Sequence, residues 1–277
     1  MIRQLITDAR KIVIKIGSNT LAGEDGKINF DFITQFAQQA ADLINKGKQI
    51  IIVSSGAQVA GLSTMGKWAR KKDLHYRQAL CAVGQVELMD AWRRAFSQAA
   101  CPGRHSSQES VTGSNIHIAQ ILLTRDDFND TNRTLNMRNT LFTLVDEGII
   151  PVINENDTVS VEEIKIGDND TLAARSAILW SADLLILLSD IDGLYNKNPK
   201  CDAGAVLLEE VRNISEARKN IVAGEANSFG TGGISTKLDA AELVLSYGIP
   251  AILADGGKPN CIEALAAGNQ KGTVFLP

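Results

Sequence analysis

Six short apolar runs, spaced by amphipathic stretches of helical period, predict an α/β fold. The runs are apolar almost throughout instead of alternating, as strands buried on both faces must be. Helices in the gaps then complete a three-layer αβα sandwich around a mainly parallel central sheet. A chain of 277 residues with 44% hydrophobic and 22% charged content is ample for one such unit.

Arg10–Ile16 is the first strand, stopped by Gly17. Asp31–Lys46 follows as a helix, with Phe32, Ile33, Phe36, Ala37, Ala40, Leu43 and Ile44 on one face and Gly47 ending it. Gln49–Val53 is a strand whose turn, Ser54-Ser55-Gly56-Ala57, leads into a helix rich in small residues. Tyr76–Ala99 is helical, with Ala79, Ala82, Val83 and Val86 on one stripe. Strands Ile116–Thr124 and Ile149–Asn154 flank a helix at about Asn132–Glu147. Helix Thr171–Ser181, strand Leu184–Ser189, helix Thr236–Tyr247, strand Pro250–Ala254 and helix Asn260–Ala267 complete the alternation. Two stretches interrupt it. Thr158–Gly167 is short and alternating, the pattern of a projecting hairpin. Ala100–Ser114 is polar and aperiodic, the composition of a mobile surface loop. One domain is expected over residues 1–277, with an N-terminal lobe to about residue 179 and a C-terminal lobe from about 180.

Charge excludes several function classes. The balance of 28 basic against 32 acidic residues, 28 − 32 = −4, offers no excess for nucleic acid or an anionic membrane. Arg70-Lys71-Lys72 reads as a solvated face. Cys81, Cys101, Cys201 and Cys261 stand far apart beside only three histidines, which disfavours a zinc site or a disulfide framework and suits a reducing cytosol. No apolar run reaches membrane-spanning length.

The polar residues that stand out sit at the ends of strands, where parallel sheets form ligand crevices. Lys15 closes the first strand before Gly17, Ser18 and Asn19; alone it could equally be a lysine reaching to solvent. Ser55, Gly56 and Ala57 form a turn that would aim backbone N–H groups at an anion. Asn154-Glu155-Asn156-Asp157 ends another strand, although ordinary turn chemistry also favours Asn and Asp. Asp168-Asn169-Asp170 opens a helix with more carboxylate and amide than a cap requires. Ser189 and Asp190 follow the most apolar strand. Gly230, Thr231, Gly232, Gly233, Ile234, Ser235 and Thr236 lead to Lys237, a glycine turn before a helix start that suits phosphate. Neither the G-x-x-x-x-G-K-[ST] nor the G-x-G-x-x-G fingerprint is present, so a nucleotide would be held by another arrangement.

Taken in order from about Arg10 to Leu276, these motifs resemble those of the bacterial glutamate 5-kinases, within the amino acid kinase family. The resemblance implies the amino acid kinase fold, and ATP-dependent phosphorylation of the L-glutamate γ-carboxylate, the first step toward proline. It implies that Lys15 and Lys237 hold phosphoryl oxygens, that Asp170 orients the lysines, and that Asp168 assists. Ser55, Gly56, Ala57, Asn154, Asp157, Asp168 and Asn169 would bind glutamate. Lys15, Gly17, Ser189, Asp190 and residues 230–237 would bind ATP, with Mg²⁺ held on ATP oxygens and water and by no firm protein ligand. A cytoplasmic homo-oligomer, inhibited by proline, follows from the same resemblance. Two departures are the extra loop Ala100–Ser114 and the absence of room for the C-terminal PUA domain that many members carry. Another kinase of this fold, for acetylglutamate or uridylate, and a non-enzymatic metabolite sensor remain the alternatives.

Overall fold

The computed structural model describes residues 1–277 except 24, 67–72, 100–115, 161–168, 198, 200–201 and 223–232. Its strands are β1 (Lys11–Ile16), β2 (Gln49–Ser54), β3 (Ile118–Leu123), β4 (Ile150–Glu155), β5 (Leu184–Ser189), β6 (Glu210–Val211), β7 (Ala251–Asp255) and β8 (Thr273–Phe275). Helices are α1 (Ile2–Asp8), α2 (Ser18–Leu21), α3 (Phe30–Asn45), α4 (Ala57–Met65), α5 (Leu74–Ala99), α6 (Thr131–Asp146), α7 (Asn169–Trp180), α8 (Ile214–Val222), α9 (Gly233–Leu245) and α10 (Cys261–Ala267). All eight strands share one sheet, in the order β3-β4-β2-β1-β5-β7-β8-β6. Every pairing is parallel except β7 with β8.

Strand period divides the core into two layers. Ile12, Ile14 and Ile16 of β1 pack with Ile33 and Phe36 of α3, Trp92 and Phe96 of α5, and Leu265 of α10. Val13 faces the other way, with Leu172 and Trp180 of α7, Leu141 of α6, and Leu238 and Val244 of α9. Each such side chain contributes about 1.5–3 kcal/mol when fully buried, so both layers hold the sheet between them. Lys15 has the parity of Val13. Its side chain therefore rises on the α7/α9 side, where the acid it pairs with is found.

The chain leaves β1 toward β2 and β5 toward β7, so the strand order reverses between the neighbours β1 and β5. Such a reversal opens a crevice at the carboxyl ends of the strands. A second device shapes its wall. Helices α4 and α5 cross at Gly61 and Gly84 in backbone contact, since a Cβ on Gly84 would lie 1.8 Å from the Ala57 carbonyl oxygen. Gly56 precedes α4 with φ 99°, a conformation that favours glycine.

Most of the expected helices begin one to three residues earlier than their periodicity suggests, with α9 opening at Gly233 and α7 at Asn169, whereas α10 opens at Cys261, one residue later than expected. Elements α2, β6 and β8 were too short to read as periodic runs, and α1 and α8 were not read from the sequence. The loop Ala100–Ser114, the basic trio 70–72 and most of the stretch Thr158–Gly167 lie outside the described residues.

Candidate active site

At the centre of the crevice one carboxylate serves two ammonium groups. Asp170, on the first turn of α7 and 1% exposed, places Oδ1 2.6 Å from Lys15 Nζ and Oδ2 3.2 Å from Lys237 Nζ. Thr236 Oγ1 donates to Oδ2 at 2.8 Å, and Lys237 Nζ also donates to the Gly233 carbonyl at 2.9 Å. Burial drives the Asp170 carboxyl up, but the charges of Lys15 and Lys237, with hydrogen bonds from Lys15 and Thr236, outweigh it and hold the group below the usual carboxylate range. Lys237 is pulled down from its ordinary value by burial, against the attraction of Asp170 and with the repulsion of Lys15. The centre is thus short of negative charge, which suits it to anionic oxygens.

Lys237 is 8% exposed and stands a turn inside helix α9, which opens at Gly233 and not at Thr236 as expected. Of its predicted neighbours, Thr236 turns toward Asp170, Ile234 packs on the core and Ser235 is exposed. Gly230, Thr231 and Gly232 lie outside the described residues, as does Asp168.

Beside this charge centre runs a buried amide network. Asn169 Nδ2 donates to Ser55 Oγ at 2.7 Å and to Asn154 Oδ1 at 2.9 Å. Asn154 Nδ2 donates in turn to Gln85 Oε1 of α5 at 2.8 Å. Three residues, one just after β2, one from β4 and one from α7, are thereby fixed in one cluster, next to the backbone turn of Gly56 and Ala57. Asp157, 6% exposed, stands beyond the end of β4, and its Oδ1 is buried without a hydrogen bond among the described residues. Burial pushes its carboxyl up to about 6, against the Cys81 thiol that donates to it and the Arg77 charge. Gln78 Nε2 secures the same turn by donating to the Asp157 carbonyl at 3.0 Å.

On the β5 side, Ser189 Oγ donates to Asp190 Oδ1 at 3.1 Å and Asn19 Nδ2 to Asp190 Oδ2 at 2.9 Å. Burial raises the Asp190 carboxyl, but Asn19, its own backbone, Ser189 and the Lys237 charge bring it below the usual range. The N–H of Gly17, expected as a free donor, is directed to the Leu188 carbonyl at 3.3 Å. A Cβ at Gly17 would come 3.5 Å from Lys15 Nζ, so glycine keeps the space before that ammonium open.

Sequence reasoning passed over Gln78, Cys81 and Gln85. Their spacing of three and four residues, a single face of α5, was the one available signal.

Comparisons with known proteins bear on the family and the fold. The profile of the amino acid kinase family matches residues 10–255. A protein of Alkaliphilus metalliredigens (strain QYMF) named glutamate 5-kinase is 58% identical over 275 residues, covering 99% of this chain and 98% of that one. One of the same name from Alkaliphilus oremlandii (strain OhILAs) is 57% identical over 276 residues, covering 100% and 99%. Among solved structures, UMP kinase from Ureaplasma parvum superposes with a TM-score of 0.62 at 17% identity, over 97% of this chain and 99% of that one, a likeness of fold.

Proposed function

The chain belongs to the amino acid kinase family, and on that premise we propose that it transfers the γ-phosphoryl group of ATP to the γ-carboxylate of L-glutamate, giving L-glutamyl 5-phosphate. The observation that carries this is the Lys15–Asp170–Lys237 centre set against the Ser55–Asn154–Asn169 cluster, with Asp157 nearby.

A γ-carboxylate, with a reference pKa of about 4.3, is already ionised near neutrality and needs no general base. The barrier is the approach of one anion to another. Lys15 and Lys237 act on it by neutralising phosphoryl oxygens while Asp170 keeps both in place, so catalysis rests on alignment and charge. Ser55, Gly56, Ala57, Asn154 and Asn169 hold the amino acid in the N-terminal lobe, with Asp157 on its ammonium. Ser189, Asp190, Gly17 and residues 230–237 hold the nucleotide in the C-terminal lobe. Asp168 assists at the phosphoryl end. Asp170 is committed to the lysines. Mg²⁺ thus fits as a cation carried on phosphate oxygens and water, supplying charge neutralisation when bound. Proline, sharing an α-carboxylate and a cationic nitrogen with glutamate, would compete for the same pocket. A cytoplasmic assembly of identical chains belongs to the same proposal. Among the described residues no helix is long and apolar enough to cross a membrane.

Coupled ADP release separates the candidate acceptors. Release is expected with L-glutamate and not with N-acetylglutamate or UMP, because neither of those brings an ammonium group for Asp157. Release with either of them in place of glutamate would overturn the assignment.

Asp157→Asn keeps the shape of the side chain and removes its charge. Losing a charge-assisted hydrogen bond of about 1.5–3 kcal/mol should raise the glutamate KM roughly 10- to 100-fold. The ATP KM should move little. The wild-type carboxyl, pushed up to about 6, takes up a proton as pH falls through that value. In the wild type kcat/KM for glutamate should therefore drop on the acid side of about 6, and Asp157→Asn should lose that limb. An equal rise in both KM values would place Asp157 with the nucleotide instead.

A further inference from the structure

We infer that Arg77 grips the α-carboxylate of the amino-acid substrate, completing with Asp157 a receptor for a zwitterionic head group. The inference rests on glutamate being the substrate. Such a substrate brings three charges to the pocket: a γ-carboxylate, an ammonium and an α-carboxylate. The first is the acceptor, directed to the phosphoryl group that Lys15 and Lys237 hold, and Asp157 answers the second. The buried cluster of Ser55, Asn154 and Asn169 carries no charge, so among the described residues assigned to glutamate the α-carboxylate still lacks a cation.

Arg77 is placed to supply it. It sits on the first turn of α5, next to Gln78, whose side chain is tied to the Asp157 carbonyl at 3.0 Å. Its Nε donates to Gln58 Oε1 at 3.2 Å, and Gln58 is the second residue of α4, directly after Gly56 and Ala57. The side chain thus bridges the two walls assigned to glutamate. That bond engages one edge of the guanidinium. Its two terminal nitrogens make no hydrogen bond among the described residues, which leaves the forked end for a carboxylate.

The relation of Arg77 to Asp157 points the same way. The guanidinium charge acts on the Asp157 carboxyl, yet the two form no ion pair among the described residues, and Asp157 Oδ1 stays buried without a hydrogen bond. An acid and a base that face one site without closing on each other offer an α-amino acid a partner for each end. Arg77 is half-buried, so the pocket it borders is reachable from solvent.

The test compares L-glutamate with its α-carboxamide analogue, which keeps the ammonium and γ-carboxylate but loses the α-carboxylate charge. Wild-type protein should show a KM for glutamate roughly 10- to 100-fold below that for the amide, the range expected for a charge-assisted pair. Arg77→Gln should raise the glutamate KM by that factor, leave the amide KM within about twofold, and so erase the preference. Arg77→Lys should restore part of it, since the charge returns without the fork. Equal increases for both substrates would mean that Arg77 only props up the helix, and no change in either would mean that it does not touch substrate; both outcomes overturn the inference. A wild-type protein that releases no ADP with glutamate would overturn the assigned reaction and this inference together. Retained wild-type turnover with an unaltered preference in Arg77→Gln would overturn this inference alone.

Discussion

Asp170→Asn should cut turnover by about a hundred- to a thousandfold, the usual effect of removing one preorganised electrostatic group from a reaction centre. It should also destabilise the fold by about 3–5 kcal/mol, because two buried ammonium groups lose their shared counter-charge. For a chain of this size that is a fall in melting temperature of roughly 6–20 °C. Asparagine preserves volume and one acceptor oxygen, so Thr236 keeps its partner and the loss reports charge rather than packing. Lys237, already pulled down by burial and by Lys15, would shed its proton more readily. Steady-state ADP release and a thermal melt on the same preparation check both halves. Turnover within tenfold of wild type, with an unchanged melt, would show that the lysines do not depend on this acid.

Gly84→Ala should do comparable damage by a different route. The new Cβ would meet the Ala57 carbonyl oxygen at 1.8 Å and the Gly61 nitrogen at 2.2 Å, so helices α4 and α5 would have to part. Both contacts are backbone and neither can rotate away. Overpacking of this kind costs about 1–3 kcal/mol and sometimes more, and the upper end is expected here. Displacing α4 also shifts Gly56 and Ala57 at its start, so the glutamate KM should rise in whatever fraction remains folded. A wild-type melting temperature and glutamate KM would refute the close crossing.

The strands that frame the crevice could be read because burial on both faces leaves near-continuous apolar runs, as in Lys11–Ile16 and Leu184–Ser189. Lys15 stood out as a charge closing such a run. Strand β8 and the two residues of β6 left no pattern, because a period cannot register over two or three positions. The antiparallel pairing of β7 with β8 was hidden for the same reason. Lys237 was read at the mouth of a glycine turn, but the helix opens at Gly233 and carries it inward to Asp170, 67 positions away in the chain. Gln85 and Cys81 were hidden differently. A polar residue on a helix looks solvated until the strand end it serves, Asn154 for Gln85, is known to lie against it. Local pattern marks the elements and their ends. Pairings made far apart in the chain, as between Asn19 and Asp190 across 171 positions, leave no local trace.

The buried carboxyl of Asp157 has a cost that falls on the folded chain itself. Its proton is held more tightly folded than unfolded, at about 6 against an ordinary value of 3.8. In that window the native state binds more protons than the unfolded state, so this group's contribution is most favourable below 3.8 and declines as pH rises through about 6. Near neutrality the empty pocket therefore keeps a charged acid where solvation is poor, as a standing local strain on the fold. On the proposed role of Asp157, an ammonium group arriving there would supply the counter-ion that water cannot. Amino acid and native state then reinforce each other by mass action, and heat resistance becomes a measure of occupancy.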